Sequence, residues 1–548
     1  MAKAKAKEFD VVIVGSGFGG LATAIVAKAS GLEPIVIEKS KKIGGGSCHS
    51  YGILWVGANH LQQAAGIDDS PENVAAYMSY IEGGQGDARR VSAFLKESPR
   101  ALKFLEDCGL EFQLIKGLAD HYDGRAPGST RYGRSIQTPL FATPELGEWQ
   151  DRLLVPPTLP RGISVEELVA WGGIANPSEW HSDTLPERLR KGYVGLGPGL
   201  VGNALREVLR RGIPIEIGVG AAELIEKNGR ITGIGDAGGR TISARKGVVI
   251  ATGGYDSNPE LVQNFESIPG WVTQFPESVT GDGLIMAAEV GAAVKVLRDK
   301  LDLFLGFSIP KAADDEPAQL RLAGISELFC PHTIVVNSSA ARFGDEGYFQ
   351  GLVPALRKYD VWRRTYENLP CYLIFDQQYV SRFSFAGGEP GAAPPSWVTR
   401  ADSVAGLATA LNLDPAQLSA TVSRFNKFVA DGADQDFHRG EEKWTLASGS
   451  LARQAGNPSL GSIMKPPFFG VRLHPSGCST AGIVADENAR AMHVRGQPIE
   501  GLYAIGNAAA RDEYGVGYQA GFTLASGMTF GYLAVRHMKR SGAGRKAA

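Results

Sequence analysis

The residues whose spacing points most directly to chemistry lie near the start of the chain, in the loop Gly15-Ser16-Gly17-Phe18-Gly19-Gly20. Gly15, Gly17 and Gly20 keep a G-x-G-x-x-G pattern between an apolar run and a helix-forming run. The first glycine permits a sharp turn, and the second lets the backbone approach a diphosphate. The third lets the helix pack on its strand, so that the positive helix end meets the phosphate charge. Glu38 ends the next apolar run about 20 residues later, where a carboxylate can accept hydrogen bonds from ribose hydroxyls. Glycine spacing alone is a weak signal. Strand, helix and terminal acid together indicate a dinucleotide.

The residues beyond Glu38 select FAD over NAD. The stretch from Lys39 to Trp55 holds Gly44, Gly45 and Ser47, which suit a second pass along a diphosphate and ribityl chain. Two later apolar runs also end in glycine, at Ala251-Thr252-Gly253-Gly254 and at Gly506-Asn507, and an NAD domain needs neither. After Gly521 a helix is expected over 522–535, with Thr523 and Leu524 in its first turn. Its positive end suits the negative charge that a flavin gains on reduction.

Over essentially its whole length the chain resembles the flavoprotein superfamily of fumarate reductases and succinate dehydrogenases. Within it, the chain is most similar to the 3-ketosteroid dehydrogenases. The family stretch GG-x-x-x-x-S-x-G-x-x-W-x-x-x-N is matched by Gly44, Gly45, Ser50, Gly52, Trp55 and Asn59, and residues 496–532 are similar as well. The resemblance implies an α/β protein: a Rossmann-like FAD-binding domain formed by both chain ends, with an inserted α+β catalytic (capping) domain. It also implies FAD held non-covalently, because His49 is out of register with the histidine motif of the covalent enzymes.

The same resemblance bears on activity. Fumarate reductases carry RF-x-x-E-x-x-x-R, and the segment 342–346 matches its start. Gln350, however, stands where the proton-donating arginine belongs, and where Δ1-dehydrogenases place a tyrosine. The carboxylate-binding H-H-T motif corresponds to Cys478-Ser479-Thr480, and His474 lies four residues early. Both departures disfavour a dicarboxylate substrate. Ketosteroid dehydrogenases use tyrosines, and three fall near the family positions. Tyr122 keeps the family spacing to Pro127-Gly128, Tyr348 lies two residues after Glu346, and Tyr518 lies three before Gly521. The resemblance implies that Tyr518 and the Gly521 N–H hold the carbonyl oxygen, with Tyr348 as base or relay and Tyr122 supporting it. The expected reaction is FAD-dependent α,β-desaturation of a cyclic ketone, a 3-ketosteroid or a cyclohexanone derivative. The alternative is an ene-reductase of the fumarate reductase family acting on a non-dicarboxylate. The expected partner is a small hydrophobic ketone, with an unidentified electron acceptor.

These residues need a scaffold of alternating strands and helices, which implies a parallel sheet with right-handed crossovers. Strands are expected over 9–14, 34–38, 247–251 and 501–505, and a helix over 21–30. At 548 residues the chain exceeds a single core. The expected division is 1–293 and 467–548 for the FAD-binding domain and 294–466 for the insert, with a surface loop at 386–396. A net charge of −2 gives no footprint for nucleic acid, and the nine histidines are too dispersed to suggest a metal site. The five cysteines (Cys48, Cys108, Cys330, Cys371, Cys478) include no C-x-x-C pair, which fits reduced thiols in the cytoplasm. Residues 515–535 are long enough to span a membrane and carry no charge. Five glycines and several polar side chains instead mark them as a buried helix beside a ligand. No integral span is expected, and peripheral membrane association stays open.

Overall fold

The computed structural model describes residues 8–173, 180, 183–297, 303–310, 319–322, 327–442 and 456–543. Strand Glu8–Val14 is the centre of the first sheet. It runs parallel to Pro34–Glu38 on one side and to Thr241–Ile250 on the other, so that Val12 faces both Ile35 and Val248. Val11, Val12 and Ile13 are fully buried, as a strand covered on both faces requires. Ile215–Ile217 extends the sheet beyond Pro34–Glu38. The returning C-terminal strand Pro498–Ala504 lies parallel to Thr241–Ile250, with Leu502 opposite Val248. Eight strands complete it, including the antiparallel pair Ala221–Lys227 and Arg230–Asp236. Both chain ends therefore build one Rossmann-like sheet.

Element boundaries shift for physical reasons. The first helix spans Phe18–Ala29 rather than starting at Leu21, because Gly17 already acts as its N-cap and the Phe18 side chain is buried in the core. The strand expected from Gly247 starts at Thr241, because its first half pairs antiparallel with Arg230–Asp236 before the buried half joins the parallel core. The C-terminal helix runs on to Ala543, with Arg540 in its last turn where a cation suits the helix end.

Among the described residues the second sheet has six strands, and every pairing is antiparallel. Its centre is Phe468–Gly477, flanked by Leu303–Ile309, Cys371–Asp376 and the short Thr399–Ala401. The sequence pattern returns the chain to the first domain at 467. Phe468–Gly477 nonetheless still belongs to the second sheet, and pairing with the nucleotide sheet resumes at Arg490–Met492. A buried apolar run does not reveal in sequence which sheet it will join. Between the sheets, Val294–Val296 pairs with Ala481–Ile483. Residues 386–396 form a turn-rich surface loop. The five cysteines form no disulfide with one another. Among the described residues, no helix is long and apolar enough to cross a membrane, and no cluster could hold a metal ion.

Candidate active site

A cavity of about 400 Å3 runs from the glycine loop of the first sheet to the edge of the second. At one end its wall is mostly backbone. A Cβ on Gly15 would lie 2.4 Å from the Ala251 oxygen, and one on Gly20 would lie 2.1 Å from the Gly15 oxygen, so only glycine permits this approach. Glu38 closes its strand with a buried carboxylate that accepts from the Ser16 N–H at 3.0 Å and the Ser16 hydroxyl at 2.6 Å. Ser47 accepts from the Phe18 N–H at 3.0 Å, tying the second glycine loop to the first. Thr252 lines this region too, with its hydroxyl buried against Gly283. A glycine-lined trough with an acid at the strand end fits a bound dinucleotide.

The other end is walled by side chains. Leu118, Val165, Leu168, Val169, Phe304 and Phe329 give it an apolar lining. Tyr518 enters this space with its ring 5.4 Å from Phe304 and 5.2 Å, edge-on, from His121. Gln519 fixes the pair: its Oε1 accepts from the Tyr77 hydroxyl at 2.5 Å and from the His121 N–H at 2.8 Å. The loop carrying His121 is anchored through Asp120. That carboxylate takes the Trp55 indole N–H at 2.8 Å and the Arg134 guanidinium at 2.9 Å. Gly521 adopts φ +96°, and a Cβ there would lie 2.6 Å from the Trp55 nitrogen, so the turn before the last helix demands glycine.

Of the residues expected at the cofactor, Gly15, Gly17, Gly19, Gly20, Glu38, Lys39, Gly45, Ser47, Ser50, Ala251, Thr252, Gly253, Gly506, Asn507, Thr523 and Leu524 line the cavity. Phe18, Gly44 and Gly52 lie behind the lining. Phe18 packs in the core, while a Cβ on Gly44 would strike the Cys48 sulfur and one on Gly52 the Leu196 oxygen. Tyr518 and Gly521 face the cavity. Tyr122 and Tyr348 stand one layer back. The Tyr122 hydroxyl accepts from the Tyr518 N–H at 3.4 Å, and the Tyr348 hydroxyl donates to the His121 carbonyl oxygen at 3.1 Å. Burial pushes the Tyr348 phenol far above its ordinary range, and the neighbouring Tyr122 adds to the rise.

Other groups carry no motif in the sequence. His121 lines the cavity, and burial pushes its imidazole down to about 3, so it stays neutral. His49 also faces the cavity, and burial pushes it down to about 4. Ser479 and Thr480 turn away from the cavity toward buried carboxylates. The Ser479 hydroxyl donates to Asp256 at 2.9 Å and the Thr480 hydroxyl to Glu266 at 3.0 Å. His474 instead rests on the Gly270 carbonyl oxygen at 3.1 Å. Arg342 and Glu346 form a buried ion pair at 2.6 Å that Asp434 extends, so the start of the fumarate reductase motif braces the segment bearing Tyr348 and Gln350.

Residues 10–526 match the family described as FAD binding domain. The 3-oxosteroid 1-dehydrogenase of Mycobacterium tuberculosis is 32% identical, over 97% of this chain and 98% of its own length. This chain belongs to the FAD-binding ketosteroid dehydrogenase family. It is also 32% identical to the 4-oxocyclohexanecarboxylate 2-dehydrogenase of Sinomonas cyclohexanicum, over 98% of this chain and 94% of that one. The crystal structure of the 3-ketosteroid Δ1-dehydrogenase of Sterolibacterium denitrificans, in complex with 1,4-androstadiene-3,17-dione, superposes with a TM-score of 0.88 at 28% identity. The match covers 97% of this chain and all of that one. Like this family, the chain is an FAD-dependent oxidoreductase, and the glycine-lined end of its cavity is the candidate FAD site.

Proposed function

We propose that this enzyme desaturates a cyclic ketone between the carbons α and β to its carbonyl. The observation that carries this reading is one continuous cavity, with the FAD trough at one end and Tyr518 and Gly521 in an apolar chamber at the other. FAD, when bound, supplies the two-electron acceptor for the hydrogen leaving the β carbon. The chain's own groups prepare the α carbon. A ketone α C–H is weakly acidic, and donors aimed at the oxygen hold the charge that develops as its proton leaves. The Tyr518 hydroxyl and the Gly521 N–H are assigned to that oxygen. The aliphatic and aromatic wall accepts the ring body and excludes water. Two relatives point to the substrate class, one named for a 3-oxosteroid and the other for an oxocyclohexane acid.

The test is anaerobic mixing of the yellow holoenzyme with saturated steroid and monocyclic ketones, with no reductant present. Bleaching of the flavin together with an enone product two mass units lighter is the expected result. A protein that stays yellow with every ketone, and bleaches only with dithionite before reducing an enone, would replace this reading with the ene-reductase.

A further inference from the structure

We propose that the hairpin of strands Tyr359–Asp360 and Thr365–Tyr366 docks this protein on the surface of an anionic lipid bilayer. The proposal goes beyond the desaturase reading, and no part of it depends on the reaction catalysed. The turn of the hairpin holds Val361, Trp362, Arg363 and Arg364. Trp362 is 93% exposed, the highest value among the exposed large apolar side chains of the described residues, and Val361 beside it is 69% exposed. Scattered apolar residues are ordinary on a protein surface, but an indole held almost wholly in water beside a second apolar side chain is not.

The turn is built to present them. The Asp360 carboxylate accepts from the Trp362 N–H at 2.8 Å and from the Arg363 N–H at 2.9 Å. The Tyr359 and Tyr366 rings meet edge-on at 5.4 Å, and the Glu367 N–H donates to the Lys358 carbonyl oxygen at 2.9 Å. The Tyr366 hydroxyl donates to the Ser267 carbonyl oxygen at 2.7 Å, which ties the hairpin to the body of the protein. A turn ordered in advance loses little conformational freedom when it docks.

Charge selects the occupant. Residues 361–365 carry two cations and no acid. Lys358 lies 2.8 Å from Glu367 and Arg363 lies 3.7 Å from Asp360, whereas no acid among the described residues pairs with Arg364. An indole beside guanidinium groups suits the boundary of a bilayer, where the ring rests at headgroup level and the cations meet anionic lipid. Tyr359, half exposed on the same hairpin, suits that boundary too. A protein partner would call for a wider apolar surface than this turn offers. Ser267 also begins the stretch that reaches the cavity wall at Gln274 and Phe275, so docking brings that wall toward the phase in which an apolar substrate dissolves.

The test is co-sedimentation of the holoenzyme with mixed phosphatidylcholine and phosphatidylglycerol vesicles. Wild type should sediment with them, and binding should weaken in high salt. Trp362→Ser should lower the partition coefficient about tenfold. Arg364→Ser should lower it about fivefold on the mixed vesicles and leave binding to pure phosphatidylcholine unchanged. Each variant should keep its flavin and its turnover of a water-soluble ketone. Trp362→Phe should keep most of the binding while losing the share of tryptophan fluorescence that brominated acyl chains quench. Wild type staying in the supernatant would overturn the proposal. So would Trp362→Ser binding as wild type does, or brominated chains quenching wild type and Trp362→Phe alike.

Discussion

The two ends of the cavity are built in opposite ways. The FAD end is made of backbone: glycines at strand ends, with three strands of one sheet, Glu8–Val14, Thr241–Ile250 and Pro498–Ala504, delivering them to a common edge. The ketone end is made of side chains, among them His121 and Tyr518 from loops and Phe304 from the strand Leu303–Ile309, with the loops held by a buried polar frame through Gln519 and Asp120. A backbone site needs particular local conformations, and those constrain which residue can stand at each position. A side-chain site needs particular neighbours, and many sequences can supply them. The FAD end should therefore fail through sterics and the ketone end through chemistry.

Gly20→Ala should have the largest effect. Its Cβ would sit 2.1 Å from the Gly15 oxygen, and neither backbone segment can give way without opening the trough. The expected result is protein that loses its yellow colour on desalting, checked by the ratio of flavin to protein absorbance. Retained stoichiometric flavin would contradict the steric account. Tyr518→Phe should separate the two ends cleanly. Flavin content stays at the wild-type level, while kcat/KM for the best ketone falls about 10²-fold as one oxyanion donor is lost.

Asp256 tests the seam between the ends, because it lines the cavity and binds Ser479 from the far side. Burial pushes its carboxyl up from 3.8 to about 7, so the folded chain keeps this proton over a range where the unfolded chain releases it. The contribution to stability is full below pH 3.8 and is lost as pH rises through 7. Asp256→Asn should flatten that part of the profile, seen as a smaller fall in Tm between pH 4 and pH 8 than in wild type. The smallest effect belongs to Tyr348→Phe. It removes one hydrogen bond to the His121 carbonyl, worth about 1 kcal/mol. Turnover should stay within about tenfold of wild type, and a loss as large as that of Tyr518→Phe would return Tyr348 to the role of base.

The FAD end is legible in the sequence because its signal is local. The spacing of Gly15, Gly17 and Gly20, with Glu38 ending the next strand, describes a turn geometry that the structure reproduces. Phe18, Gly44 and Gly52 belong to the same motifs yet lie behind the lining, since spacing reports which residues share a turn and not which way each faces. The ketone end is legible only in part. Tyr518 and Gly521 stand out because they adjoin one another and the last helix, whereas His121 carries no pattern of its own. It becomes visible when Gln519 and Gln350, 398 and 229 residues away, close around it.

The strand Phe468–Gly477 makes the same point for the fold. Its apolar character is plain, but its place in the second sheet depends on Leu303–Ile309 and Cys371–Asp376 offering free edges. The amino-acid sequence by itself determined the cofactor and the sheet that binds it, because dihedral constraints act between near neighbours. The tertiary structure alone decided which titratable groups line the cavity. Burial and side-chain proximity are properties of packed surfaces, and no single segment of chain contains them.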